Sequence, residues 1–225
     1  GGVMHAAISW SGGKDCCLAL LRARQSLHIT AAITVFTETG ERSRSHGLRP
    51  DVVTAQVQRL GLTPLSGRAT WERYTDEYIR LLGEAKALGI THVVFGDIMG
   101  DAHGAWNEKV CAAHGLTPVM PLWGEPTPTL AREFIATGSS ADIVTTRTTH
   151  LDPSWLGRSL DEAAIRELEA LDVDPCGEFG EYHTLVTNCP AFSSPLPVRH
   201  GVRVEQGPCW ALDVELATTA EPVAC

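Results

Sequence analysis

Residues 11–17 read SGGKDCC, directly after a strand-like run at 4–10 and directly before a leucine-rich segment that begins a helix at 16–24. The order strand, glycine pair, lysine, helix decides the fold class. Gly12 and Gly13 allow a sharp turn and let a ligand approach where a Cβ would block it. Backbone amides and a helix N-terminus then converge on one point, a nest that attracts phosphate, and Lys14 adds a positive charge. Neither G-x-x-x-x-G-K-[ST] nor G-x-G-x-x-G occurs, so the two commonest phosphate motifs do not describe this loop.

Outward from the loop, strand-like and helix-like segments alternate. Residues 29–37 (ITAAITVFT) are a β-branched second strand, Val53, Val57 and Leu60 recur at helical spacing, and 63–65 can form a short third strand. Tyr74, Tyr78, Leu81, Leu82, Ala85 and Leu88 make an amphipathic stripe ended by Gly89. A fourth strand is expected at 92–98, helical spacing returns at Trp106, Val110 and Ala113, and 117–120 supplies a fifth strand. The pattern predicts an α/β protein with a parallel five-stranded nucleotide-binding sheet flanked by helices.

The texture changes after Trp123, where GEPTPT at 124–129 is a proline-rich joint. It divides the chain into an expected N-terminal domain at 1–124 and a smaller α+β C-terminal domain at 125–225. Thr127 is read as an N-cap with Pro128 behind it and Gly138 past the helix end. A strand is expected at 142–147, and Ser159 to Glu162 reads as a capping box opening a helix through Leu171. Residues 199–218 alternate polar and apolar, which predicts antiparallel strands. Trp10, Trp71, Trp106, Trp123 and Trp155 are read as core or interface residues.

The 225 residues carry a net charge of -9 and no basic run, which excludes the usual phosphate-backbone binder and favours a small-molecule or protein substrate over nucleic acid. Seven cysteines without a C-x-x-C pair read as reduced thiols of a cytoplasmic protein. No signal peptide or membrane span is expected. A second polar stretch, 174–190 (DPCGEFGEYHTLVTNCP), places Glu178, Glu181 and His183 within reach of one centre. Carboxylates there can hold Mg²⁺, and a glutamate or histidine can move protons; a solvated turn with two surface glutamates is the plain alternative.

Residues 11–16 resemble the S-G-G-x-D-S pyrophosphate loop of the ATP pyrophosphatase superfamily, an adenine nucleotide alpha hydrolase-like (HUP) fold, with Cys16 in place of the final serine. CGEFGEYHT at 176–184 is similar to the G-E-x-G-E-[FY]-x-T signature of the diphthine-ammonia ligase family. The likeness extends through Gly96-Asp97-Ile98, Glu108, Val110-Cys111, Pro121-Leu122-Trp123, residues 141–144 and WLGRSLDE at 155–162. The compact, alanine-rich style points to a bacterial-type member, without the further C-terminal domains of the longest relatives.

What the resemblance implies is an ATP-dependent, amide-forming ligase. It adenylates a carboxylate, releases AMP and pyrophosphate, and takes ammonia or an amine as acceptor. Its expected partners are ATP, Mg²⁺ and a small-molecule or protein-borne carboxylate, with no nucleic acid and no membrane; a homodimer is compatible with it. Ser11, Gly12, Gly13, Lys14, Asp15, Cys16, Thr37, Gly96 and Asp97 are the expected ATP-binding residues, with Glu38 of similar standing to Thr37, and Asp15 and Asp97 the expected metal ligands. Lys14, Glu178, Glu181 and His183 are the expected catalytic groups. The family pattern S-x-Y-Q-R-x-R-x-E is replaced here by GDAHGAWNE at 100–108, so diphthine need not be the substrate. His46, Arg42 and Arg44 lie in a polar loop that either closes over ATP or is simply solvated. Two alternatives stand beside the ligase: a non-catalytic ATP sensor, and a sulfur transferase using a Cys16 thiolate whose pKa the helix N-terminus would lower.

Overall fold

The computed structural model describes residues 2–44 and 46–217. Gly1, Ser45 and residues 218–225 lie outside them, with Cys225 of the thiol count and Thr218 of the alternating tail. Five parallel strands, β1 (His5–Ser9), β2 (His28–Phe36), β3 (Thr63–Arg68), β4 (His92–Val94) and β5 (Thr117–Val119), form one sheet in the order β3-β2-β1-β4-β5. Helices α1 (Lys14–Ala23), α2 (Pro50–Leu60), α3 (Tyr74–Ala87) and α4 (Asp101–Ala112) connect them. The chain order reverses beside β1, so the crevice past the carboxyl ends of β1 and β4 is where such a sheet takes a ligand.

After α5 (Thr127–Ala136), a smaller antiparallel sheet follows, built from β6 (Ser140–Arg147), β7 (Tyr182–Asn188), β8 (Val198–Gln206) and β9 (Cys209–Leu216) in the order β7-β6-β9-β8. Helix α6 (Glu162–Ala170) covers it with α5. One apolar cluster runs from Ile8 and Val94 through Leu18 and Leu20 of α1 into Phe134, Ile143, Ile165 and Leu185. A separate cluster on the other face joins Ile33 and Val93 to Leu81, Leu82 and Val110 of α3 and α4. Among the described residues no helix is long and apolar enough to cross a membrane.

Local details depart from the sequence reading for identifiable reasons. Helix α1 starts at Lys14, two residues early, because extended Gly13 serves as N-cap and its carbonyl receives the Cys17 amide at 3.3 Å. Lys14 and Asp15 therefore sit in the first helical turn. Strand β4 stops at Val94 where residues 92–98 were expected, since a Cβ at Gly96 would come within 2.7 Å of the Cys16 backbone nitrogen. The close pass against α1 takes Gly96 and Asp97 out of the ladder and into the crevice.

At α5 the N-cap is Pro126, because the Thr127 hydroxyl is committed to Asp174 Oδ1 at 2.6 Å. At α6 the cap is Asp161, whose carboxylate accepts from the Ala164 amide at 2.8 Å. Ser159 is held extended by its bridge to Asp142, which removes it from the expected capping box. Leu88, expected on the buried stripe, lies 56% exposed at the end of α3.

The two sheets meet through Gln56, which is wholly buried. Its Nε2 donates to Gly12 O at 3.1 Å and Val186 O at 2.8 Å, while its Oε1 accepts from Trp10 Nε1 at 3.0 Å. Gln56→Leu leaves those buried groups unsatisfied, and it is expected to cost about 3 kcal/mol. Urea denaturation of the two proteins measures the loss.

Candidate active site

A cleft of about 550 Å³ opens past β1, β2 and β4. Gly12 supplies the turn with φ of 85°, and Ser11, Gly13, Lys14, Asp15 and Cys16 line the floor. Cys176, Gly177, Glu178, Gly180, His183 and Thr184 come from the loop before β7 and from β7 itself. Residues 170 positions apart in the chain thus face one space, since Lys14 N donates to Thr184 Oγ1 at 3.0 Å, and Val186 N donates to Gly12 O at 2.8 Å beside it. The Lys14 amide, expected as a phosphate donor, is already bonded.

Lys14 is 4% exposed, and its ammonium donates to Cys176 O, lies 3.3 Å from Asp15 and sits 5.0 Å from the Tyr182 ring centroid. Burial opposes its charge, but Asp15, Tyr182, Cys176 and Glu178 outweigh that and hold its pKa above the ordinary lysine range. Burial pushes the Asp15 carboxyl up, against the pull of Lys14. Glu178 is pushed up to about 7 by burial and by Asp15, opposed by Lys14 and reinforced by Asp174 and Asp97. One firmly held cation thus stands among crowded carboxylates.

Asp97 lines the same cleft, with Oδ2 receiving Asn107 Nδ2 at 2.8 Å and Oδ1 lying 3.8 Å from His103 Nδ1. His46 is half-buried in this cleft, where its Nδ1 approaches Thr184 O at 3.1 Å and its ring meets His183 edge-on at 4.8 Å. A Cβ on Gly13 would come within 2.5 Å of that ring. Burial and Lys14 push His183 down to about 4, and burial and His183 hold His46 well below the usual histidine range. Both rings are neutral near pH 7.

Several expected residues are placed elsewhere. Thr37 turns back toward Thr39, and Glu38 is 55% exposed and paired with Arg44. Arg44 also donates to Ala69 O at 2.7 Å, and Arg42 pairs with Asp213 at 3.0 Å. Glu181 is 3% exposed; its Oε2 accepts the Asp174 amide at 3.1 Å, and it does not line this cleft. Cys16 is 4% exposed and burial pushes its thiol up, the reverse of the shift a nucleophilic thiolate needs.

The opposite wall was missed by the sequence reading. Trp71, Tyr74, Tyr78, Phe95 and Trp106 line it, with Tyr74 and Trp106 ring centroids 5.9 Å apart. Helical spacing assigned Tyr74, Tyr78 and Trp106 to core, and the Tyr78 hydroxyl, bonded to Ser9 Oγ at 2.7 Å, marks where the core becomes cleft wall.

The profile for the diphthamide synthase N-terminal domain matches residues 4–118, and that for its C-terminal domain matches residues 126–217. The chain belongs to the diphthamide synthase family. It is 34% identical to the diphthine–ammonia ligase of Mus musculus over 224 residues, covering 87% of this chain and 83% of that protein. It is 32% identical to the Homo sapiens ligase over 223 residues with the same coverage, and 26% identical to the Danio rerio ligase over 216 residues, covering 83% of each. A Methanocaldococcus jannaschii structure described as a predicted subunit of tRNA methyltransferase is 15% identical with a TM-score of 0.42, covering 84% of this chain and 98% of that one. The bacterial-type expectation is overturned, because the matched ligases are eukaryotic. At family level the likeness supports an ATP-dependent ligase-type enzyme.

The Glu178 shift sets a pH dependence of stability. Its folded pKa of about 7 exceeds the model-peptide value of 4.5, so its contribution is fully present below about pH 4.5 and is lost as pH rises through about 7. Glu178→Gln is expected to match the wild type near pH 4 and to exceed it near pH 8. Denaturant midpoints at the two pH values check the sign.

Proposed function

We propose that the protein is an AMP-forming ligase that joins a carboxylate to ammonia or an amine. The carrying observation is the loop before β7, which sets Glu178 in the same cleft as Ser11, Gly13 and Lys14. In this reading residues 1–124 bind ATP and residues 125–225 bring the substrate and amine chemistry. Six free thiols among the described residues fit a reducing, cytoplasmic setting.

A substrate carboxylate oxygen bonds to the α-phosphorus of ATP as the α–β bridge breaks, and pyrophosphate leaves with the electron pair. Lys14, fixed and charged, faces the charge that develops there. The amine nitrogen then bonds to the acyl carbon, the bond to AMP breaks, and the surplus proton needs an acceptor. Glu178, at about 7, is matched to that task near neutral pH, whereas His183 at about 4 is a weak base.

Asp15 and Asp97 are the carboxylates that would hold Mg²⁺ beside the phosphates. Their fit rests on the burial and the neighbouring Asp174 that push Asp15 up, a cost that a divalent cation held there would offset. Bound there, it would supply neutralisation of phosphate charge. The relatives' name gives diphthine as their substrate; here the substrate is diphthine or another carboxylate, with Trp106 lining the cleft at one of the two positions where the family pattern has an arginine.

Incubation with ATP, Mg²⁺, ammonium and a panel of carboxylates is expected to yield AMP and pyrophosphate. ADP and phosphate as the turnover products would overturn the assignment, and tight ATP binding without turnover would favour a sensor. Cys16→Ser is expected to keep activity within about threefold, because the buried thiol is only a weak hydrogen-bonding group. Its loss in a steady-state assay would revive sulfur chemistry.

A further inference from the structure

Lys14 is the single lysine or arginine among the described residues that line the main cleft, and its ammonium is already engaged by Asp15 and Cys176 O. Of the arginines in the 42–49 loop, Arg42 and Arg49 are paired with Asp213, and Arg44 with Glu38. A second cavity of about 540 Å³, behind the loop that carries Glu178, is lined by Asp172, Asp174 and Glu181 with no lysine or arginine, so it repels a polyanion. A ligand as highly charged as ATP therefore needs a further cation at the main cleft.

Arg147, in β6, is placed to be that cation. Side chains alternate along a strand, so Arg147 shares a face with Thr145, which is paired with His183 across the β6–β7 ladder. Its guanidinium lies against the loop before β7: a Cβ on Gly180 would come within 2.8 Å of Arg147 Nη2, and both Gly180 and His183 line the cleft. Burial, Lys14 and Arg147 together push His183 down to about 4, so the guanidinium's charge is felt at the cleft wall.

Unlike the three loop arginines, Arg147 has spare donors. Among the described residues no acceptor meets its guanidinium, and its Nε is buried without a partner. The residue as a whole is half-buried, so its terminal amino groups stay open to solvent. An unpaired guanidinium beside a cleft offers a planar set of N–H donors that matches the oxygens of a phosphate.

We propose that Arg147 is a second cationic contact for ATP, donating past Gly180 to the outer phosphates while Lys14 holds the loop end of the cleft. The assignment rests on the ATP-binding part of the reading above and not on its ligase chemistry. In the AMP-forming reaction the same contact stays with the pyrophosphate that leaves.

The test is calorimetric titration of the full chain with ATP and with AMP, each with Mg²⁺. Arg147→Met, which keeps an apolar stem, is expected to weaken ATP binding roughly tenfold, the loss of one charge-assisted hydrogen bond, and to leave AMP binding within about twofold. Arg147→Lys, which keeps the charge without the planar donors, is expected to fall between. Unchanged ATP affinity in Arg147→Met overturns the proposal, as does equal weakening of ATP and AMP, the mark of a structural role. A raised KM for the carboxylate at unchanged ATP affinity also overturns it, by assigning Arg147 to the acceptor substrate. If Arg147→Met does not fold, Arg147→Lys carries the same comparison. ATP-selective weakening in a protein that forms no AMP and pyrophosphate rejects the ligase reading alone, whereas AMP formation with ATP affinity indifferent to Arg147 rejects the contact alone.

Discussion

Four hydrogen bonds that tie the first loop and the start of α1 to strand β7, to the loop before it and to Gln56 of α2 carry the architecture of the site. Val186 N and Gln56 Nε2 both reach Gly12 O, Lys14 N reaches Thr184 Oγ1, and Lys14 Nζ reaches Cys176 O. Each satisfies a group that the fold would otherwise bury unpaired. Because they connect positions far apart in the chain, the loop's hydrogen bonding is completed by the C-terminal half. The apolar cluster that crosses α1 into β6 and β7 supplies the driving force, and the hydrogen bonds supply the register.

That docking also determines the electrostatics. Lys14 is buried where a lysine would ordinarily shed its proton, yet nearby acidic groups keep it charged. The same proximity works against the carboxylates, since Asp15, Asp97, Asp174 and Glu178 crowd one region and Glu178 retains a proton to about 7. A polyphosphate entering this cleft meets a fixed cation on one side and acidic groups on the other. The arrangement suits a ligand that brings its own counter-ion. Meanwhile the neutral His46 and His183 add polar edges without adding charge.

The parallel five-stranded sheet, the glycine loop after its first strand and the second polar stretch were legible because each is written in local pattern: β-branched runs, paired glycines, closely spaced glutamates. What was not legible depends on distant partners. Periodicity marks Tyr78 and Trp106 as apolar-facing but cannot say that the face ends at an open cleft. Thr127 and Ser159 carry good capping chemistry, yet Asp174 and Asp142 claim them first. His46 sits in an unremarkable polar loop, and only the fold brings it over Gly13. Cys16 looks activated by its helix N-terminus until burial is counted.

Asp174 shows how one carboxylate can divide a motif between two cavities. Its Oδ2 accepts the amides of Cys176 and Glu178, and its Oδ1 accepts the Thr127 hydroxyl, so the loop closes tightly against the start of α5. Its own amide is tied to Glu181 Oε2. Gly177 and Gly180, with φ of 67° and 80°, provide the left-handed turns that this closure needs. The chain therefore reverses between the two glutamates, sending Glu178 into the large cleft and Glu181 toward the smaller cavity behind it. Two residues three positions apart, indistinguishable by spacing, line different cavities, with Gly180 making the turn between them.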